Sequence, residues 1–266
     1  MASTIRELTM NMKQIAFAAC VSTSPPTLAN CTTGPVTVIG KTAYPPISFT
    51  KENKLIGLGY SVIKQIAKSQ GLDTKVSTPA PWKRVVHRGR IGEVDIVIGL
   101  RAMNLSKDHF VFLPTPIIES AQYIIFLKEN ELRTKEDLKG LNGGILSGTT
   151  FTTEFEKYAK DNLSISQVRT TKQNLLKLNS GRIDYFIAPL LPVIHLIETT
   201  GMKIEIKFTP TPLFSVSEYI AISKRSNCIS KQEIFENGIK EQIQNGYIDQ
   251  KFEFFSKNWD VLDYMK

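Results

Sequence analysis

One device occurs twice in this chain, and it limits the folds open to it. Gly92-Glu93-Val94-Asp95 leads into the apolar run Val94–Leu100, and Gly181-Arg182-Ile183-Asp184 leads into Tyr185-Phe186-Ile187-Ala188-Pro189. In each case a predicted helix stops at the glycine and a β-branched or aromatic run follows. A short apolar run bounded in this way reads as a strand buried on both faces, as in a parallel sheet. Basic and polar residues (Arg101, Asn104 and Lys107) come directly after the first run. In open α/β sheets, ligands sit beyond the carboxyl ends of the strands. A buried strand that ends in basic groups is therefore a candidate anion site. Two similar α/β halves that face one another enclose a cleft.

The remaining elements fit this reading. Pro35–Gly40 is a first strand, and Tyr44-Pro45-Pro46 a rigid loop. Leu58, Val62, Ile63, Ile66 and Ala67 share one helical face that Gly71 stops. Pro81-Trp82 opens the next helix. Ala121–Leu127 reads as a strand crossing between halves. Gly143–Leu146 reads as a strand that turns through Ser147-Gly148-Thr149-Thr150-Phe151 into a helix. Glu218–Ser223 reads as a final strand and Lys231–Phe255 as a helical tail. Strands alternating with helices give an α/β architecture. Connectors near 117–121 and 209–215 divide it. Residues 30–118 and 213–266 form lobe 1, and residues 119–212 form lobe 2.

At 266 residues, with 42% hydrophobic and 22% charged content, the composition is that of an ordinary globular protein. No apolar run is long enough to span a membrane. The net charge of +8 is scattered over helices and loops, with no basic stripe interleaved with aromatics. That pattern fits a solvated basic surface and argues against a nucleic-acid partner. Residues 1–29 read as a leader: Lys13, a short apolar segment from Gln14 to Val21, then the small residues Thr27 and Ala29 before a cut. Met10 or Met12 is a candidate start. A lipoprotein reading through Cys20 needs a very short apolar segment and ranks second. Removing the leader leaves Cys31 and Cys228, an even pair that suggests a disulfide in an exported protein. His87, His109 and His195 are isolated and show no metal spacing. No metal or other cofactor is expected.

From about Val36 to Trp259 the sequence resembles the periplasmic solute-binding proteins for amino acids and similar polar solutes. These are family 3, with the type II periplasmic binding fold, and they partner ABC importers. The matching pieces are Tyr44–Phe49, Leu55–Tyr60, Trp82 after a strand, Gly92–Asp95, Asp137–Gly140, Gly148–Thr150 and Gly181–Asp184. The resemblance implies two α/β lobes, each a central sheet flanked by helices. It also implies two hinge strands, closure on a ligand, an ABC permease as partner, a periplasmic location and a monomer.

The departures bear on the ligand. The family's Thr-x-x-Arg, whose arginine holds the ligand carboxylate, falls here on Asn104-Leu105-Ser106-Lys107. Lys107 keeps the charge without the planar fork, which Arg101 could supply instead. The acidic residue that holds the α-ammonium in the family falls on Pro189, and the usual acid at Ser61 is missing. A buried ammonium without a partner is costly. The expected ligand is therefore a small polar or anionic solute without an α-ammonium. The candidate ligand-binding residues are Tyr44, Trp82, Arg101, Asn104, Lys107, Gly148, Thr149, Thr150 and Pro189. Asp95 and Asp184 read as structural. Two rival functions are an enzyme on the same fold, resembling cyclohexadienyl dehydratases, and a ligand sensor that docks on a membrane partner. No acidic residue follows either site strand to serve as catalyst, which argues against the enzyme. No catalytic residue is assigned.

Overall fold

The computed structural model describes residues 34–100, 104–127, 130–147, 149 and 151–257. Two sheets carry the architecture. The first is ordered Thr74–Val76, Val36–Gly40, Ile96–Ile98, Ile220–Ser223, Phe110–Phe112. Its first three strands are parallel, and Ile220–Ser223 runs antiparallel to both of its neighbours. The second is ordered Ser164–Val168, Asn142–Leu146, Tyr185–Ala188, Ile118–Leu127, Ile206–Phe208, again with three parallel strands on one side.

The period of two along each strand explains why both faces are covered. In the first sheet Val38, Ile96, Ile98, Ile220 and Ile222 face one way, onto Val62, Ile63 and Ile66 of the helix Leu58–Ser69 and onto Phe235 and Ile239. Ile39, Val97 and Ala221 face the other way, onto Val85 of the helix Trp82–Ile91. The second sheet repeats the arrangement. Ile125, Phe186 and Ala188 meet the helices Thr171–Asn179 and Leu190–Thr200. Ile124, Phe126, Tyr185 and Ile187 meet the helix Thr153–Asn162.

Two chain crossings join the sheets. Ile118–Leu127 is ten residues long. Its first half pairs with Phe214–Glu218 and its second half with the strands of the second sheet. After Glu218 the chain enters Ile220–Ser223 of the first sheet. The expected single strand Glu218–Ser223 is thus two, because Glu218 ends a hinge ladder and Ile220 starts a core strand.

Asp95 and Asp184 both prove structural. Asp95 lies just before Ile96–Ile98 and accepts hydrogen bonds from Thr37 N (2.7 Å), the Thr37 hydroxyl and Ser226 Oγ (2.5 Å). Asp184 precedes Tyr185–Ala188 and accepts from Asn142 N at 2.7 Å. Each ties the amino ends of neighbouring strands, at the edge of its sheet opposite the cleft.

Local details differ from expectation. The run Val94–Leu100 yields a strand only over Ile96–Ile98. The Tyr44-Pro45-Pro46 loop is part of a three-stranded meander, Ala43–Tyr44, Ser48–Lys51 and Lys54–Ile56. Its Phe49 reaches the second sheet's core, 6.0 Å centroid to centroid from His195 and from Phe255. Burial there lowers the His195 pKa. The tail divides at Gly246 into Gln232–Gln244 and Tyr247–Ser256. Cys228 is fully buried, whereas the leader and Cys31 lie outside the described residues. Among the described residues no helix is long and apolar enough to cross a membrane. Among the described residues no cluster of three or more His, Cys, Asp or Glu is placed to hold a metal.

Candidate functional site

A cavity of about 530 Å³ opens between the two sheets at the carboxyl ends of their parallel strands. From the first lobe it receives Lys41, Thr42 and Tyr44, which follow Val36–Gly40, and Gly99 and Leu100, which follow Ile96–Ile98. From the second it receives Ser147 and Thr149 after Asn142–Leu146, Arg169 to Thr171 after Ser164–Val168, and Pro189 after Tyr185–Ala188. Gln122, on a crossing strand, closes the back. Most of these pieces arrive by the same route, a parallel strand delivering the residues after its carboxyl end to the cleft.

The first-lobe wall is aromatic and cationic. Tyr44 is buried, and its hydroxyl donates to Glu218 Oε1 at 2.5 Å and lies 3.3 Å from Ser120 Oγ. Trp82 is the first residue of its helix, half-buried, with its ring on the same wall. Lys41 stands between them, its Nζ 4.1 Å from the Tyr44 ring centroid and 5.3 Å from that of Trp82. Its stem lies on Gly99, where an added Cβ would stand 3.2 Å from Lys41 Cδ. Gly99 has φ +79°, so a side chain there would be strained as well as crowded. Arg90, on the helix behind Trp82, has Nη2 2.8 Å from His109 Nε2.

The second-lobe wall is polar and small. The Arg169 backbone N–H donates to Gln173 Oε1, and its guanidinium is exposed at the cleft. Thr170 caps the helix Thr171–Asn179 by accepting from Gln173 N at 3.2 Å. Pro189 stands at the N-cap of Leu190–Thr200. Among the described lining residues are three cations, Lys41, Arg90 and Arg169, and no carboxylate.

Four of the sequence candidates, Tyr44, Trp82, Thr149 and Pro189, come together in this cavity. Lys107 ends the short helix Asn104–Lys107, is exposed, and is not among the lining residues. Arg101, the Asn104 side chain, Gly148 and Thr150 lie outside the described residues. The expected anion site at a helix start near Gly148–Thr150 meets a different local structure. That helix begins at Thr153, and Thr152 caps it by accepting from Phe155 N. Thr149 therefore belongs to the turn before the cap.

Lys41, Arg90, Gln122, Ser147, Arg169 and Thr171 are lining residues that sequence reasoning passed over. For Lys41 and Arg169 a signal was present. Each directly follows a parallel strand, the criterion that singled out Arg101. Arg90 carries none, because it reaches the cleft from a helix.

The model of bacterial extracellular solute-binding proteins, family 3, matches residues 36–259. A probable histidine-binding protein of Campylobacter jejuni is 25% identical over 146 residues, 54% of this chain and 56% of that protein. The chain thus spans little more than half of that relative. A putative amino-acid ABC transporter-binding protein of Vibrio harveyi is 25% identical over 75% of this chain and 79% of its own length. Among solved structures, a probable amino-acid ABC transporter extracellular-binding protein of Bacillus subtilis superposes with a TM-score of 0.69 at 21% identity, covering 83% of this chain and 96% of that one. An ancestral arginine-binding protein bound to arginine gives 0.65 at 24% identity, covering 84% and 98%.

Proposed function

The chain belongs to the bacterial extracellular solute-binding proteins of family 3, and we propose that it is a receptor for a small anionic solute without an α-ammonium. The reading rests on one observation. The described cleft lining holds Lys41, Arg90 and Arg169 and no carboxylate. A ligand carboxylate gains charge-assisted hydrogen bonds from such groups. A ligand ammonium finds no carboxylate among the described lining residues, and Pro189 stands at the position where the family resemblance places a partner acid. The relatives' names speak of histidine and other amino acids. The ligand preference proposed here departs from those names and rests on the described lining of this cleft.

The rest of the proposal follows the family. Residues 30–118 with 213–266 and residues 119–212 act as two bodies that close about the crossing strands Ile118–Leu127 and Phe214–Glu218. Export to the periplasm, a Cys31–Cys228 bridge and delivery by a monomer to an ABC permease complete it. The reading is of a binding receptor rather than an enzyme, in keeping with a family of solute-binding proteins. Isothermal titration calorimetry against the twenty amino acids and a panel of small mono- and dicarboxylates tests the reading. A carboxylate should bind with micromolar-order Kd, about −8 kcal/mol. Binding of an ordinary amino acid at that strength, with no carboxylate hit, overturns it.

A further inference from the structure

The aromatic pair on the first-lobe wall is already filled by a cation of the chain itself. Tyr44 and Trp82 present ring faces to the cleft, and Lys41 Nζ stands 4.1 Å and 5.3 Å from their centroids. Both distances are inside the range in which a ring quadrupole attracts a cation. The side chain is held there along its length. Gly40 ends the strand Val36–Gly40 and delivers Lys41 to the cleft, and the lysine stem runs over Gly99 with Cγ, Cδ and Cε all within 3.5 Å of where a Cβ would lie. Behind the tyrosine, the buried Glu218 side chain accepts a hydrogen bond from the phenol, which enriches the ring facing the ammonium.

We propose that Lys41 is the residue that sets the charge selectivity of the cleft. It occupies the Tyr44–Trp82 pair as an internal cation, excludes guanidinium and ammonium groups of a ligand from it, and offers its own ammonium to a ligand carboxylate. The inference deepens the anionic-solute reading and rests on it for the attractive half. The exclusion half stands on the Lys41 geometry alone. A ligand cation entering the pair would meet a like charge about 4 Å away in a partly desolvated site, a repulsion large enough to cost on the order of a hundredfold in affinity. Removing the ammonium turns the same two rings into an ordinary cation site.

The test compares two ligands of similar length, glutarate and 4-guanidinobutyrate. Each has a carboxylate at one end, and they differ in the charge at the other. Titrations use the wild-type chain, Lys41→Ala, Lys41→Met and Lys41→Arg. Methionine keeps most of the stem that packs on Gly99, so it guards against an unfolded alanine variant, and arginine keeps the charge. The expected result is that K41A and K41M bind 4-guanidinobutyrate at least tenfold more tightly than wild type, while K41R does not. Their affinity for glutarate should fall at least tenfold. If K41A and K41M, folded by circular dichroism, leave 4-guanidinobutyrate binding unchanged or absent, the selectivity role is overturned. If wild type ignores glutarate but the two variants gain 4-guanidinobutyrate, Lys41 still excludes cations and it is the anionic-solute reading that falls.

Discussion

Tyr44→Phe removes one oxygen and almost no apolar area, so its effect reads the polar network behind the cleft wall. The Tyr44 hydroxyl donates to Glu218 Oε1 at 2.5 Å, and Glu218 is 1% exposed. The other carboxylate oxygen, Oε2, has no hydrogen-bond partner among the described residues. The phenol is therefore the only described side-chain donor to this carboxylate. A hydrogen bond to a charged group contributes about 1.5–3 kcal/mol, and loss of the only partner of a buried carboxylate falls at the upper end of that range. For a chain of this size, 1 kcal/mol moves Tm by about 2–4 °C, so Y44F should melt roughly 6–12 °C lower.

The position of Glu218 makes the effect more than a matter of stability. Its carbonyl accepts from Ile117 N, and it pairs with Ile118 at the end of the hinge ladder. A cleft aromatic is thereby fastened to both crossing strands, since Ser120 Oγ also lies 3.3 Å from the phenol. Glu218→Gln in the Y44F background removes the stranded charge and should recover part of the loss. The assay is thermal melting by circular dichroism for Y44F, E218Q and the double variant. A coupling of at least ~1 kcal/mol between the two sites is expected. A Y44F melting point within 2 °C of wild type, or strictly additive single effects, would refute the network argument.

Three further outcomes follow from the packing. Burial raises the Tyr185 pKa from its ordinary value near 10 to about 12. The folded form therefore keeps its proton where the unfolded form loses it, and stability that is present below pH 10 should fall between pH 10 and 12. Tyr185→Phe should flatten that alkaline limb in urea titrations at stepped pH. Gly143→Ala places a Cβ 2.5 Å from the Tyr185 hydroxyl in a closed core, so a loss of about 1–3 kcal/mol is expected by chemical denaturation. Asp95→Ala should cost more than Asp184→Ala, by roughly 2 kcal/mol or more. Asp95 is buried and accepts from two residues, Thr37 and Ser226, through three donors, whereas Asp184 is half-exposed and accepts from Asn142 N. Equal midpoints for the two variants would count against that ranking.

The fold was legible because its signals are local and repeated. The two Gly-x-x-Asp strands show the continuous burial of strands covered on both faces: Ile96–Ile98 and Tyr185–Ala188 are buried throughout. The helix Leu58–Ser69 buries Leu58, Val62, Ile63, Ile66 and Ala67, the face that its 3.6-residue period marks. Legibility ended where tertiary pairing decides. Nothing local separates Phe214–Glu218 from Ile220–Ser223. They part because one pairs with Ile118–Gln122 and the other with Ile96–Ile98. The meander around Tyr44 was hidden for the same reason. Its strands are two to four residues long and take their stability from partners such as Ser48 Oγ donating to Lys41 O.

The site was half legible, and the missing half has a topological cause. In both sheets the aspartates tie the amino ends of the strands, where Thr37, Ser226 and Asn142 donate to them. The cleft lies at the opposite, carboxyl ends, where Lys41, Thr149, Arg169 and Pro189 emerge. Motifs that hold the sheets together are thus about one strand length from the residues that line the cleft. The first set can stay fixed while the second changes charge, because substituting a cleft residue leaves the aspartate ties untouched. A chain can therefore match its family's model over residues 36–259 and still place Pro189 and Lys41 in its cleft lining. The aspartate motifs report the sheets, and the cleft's charge has to be read separately, from residues such as Lys41 and Arg169 that follow a strand and Arg90 on a helix.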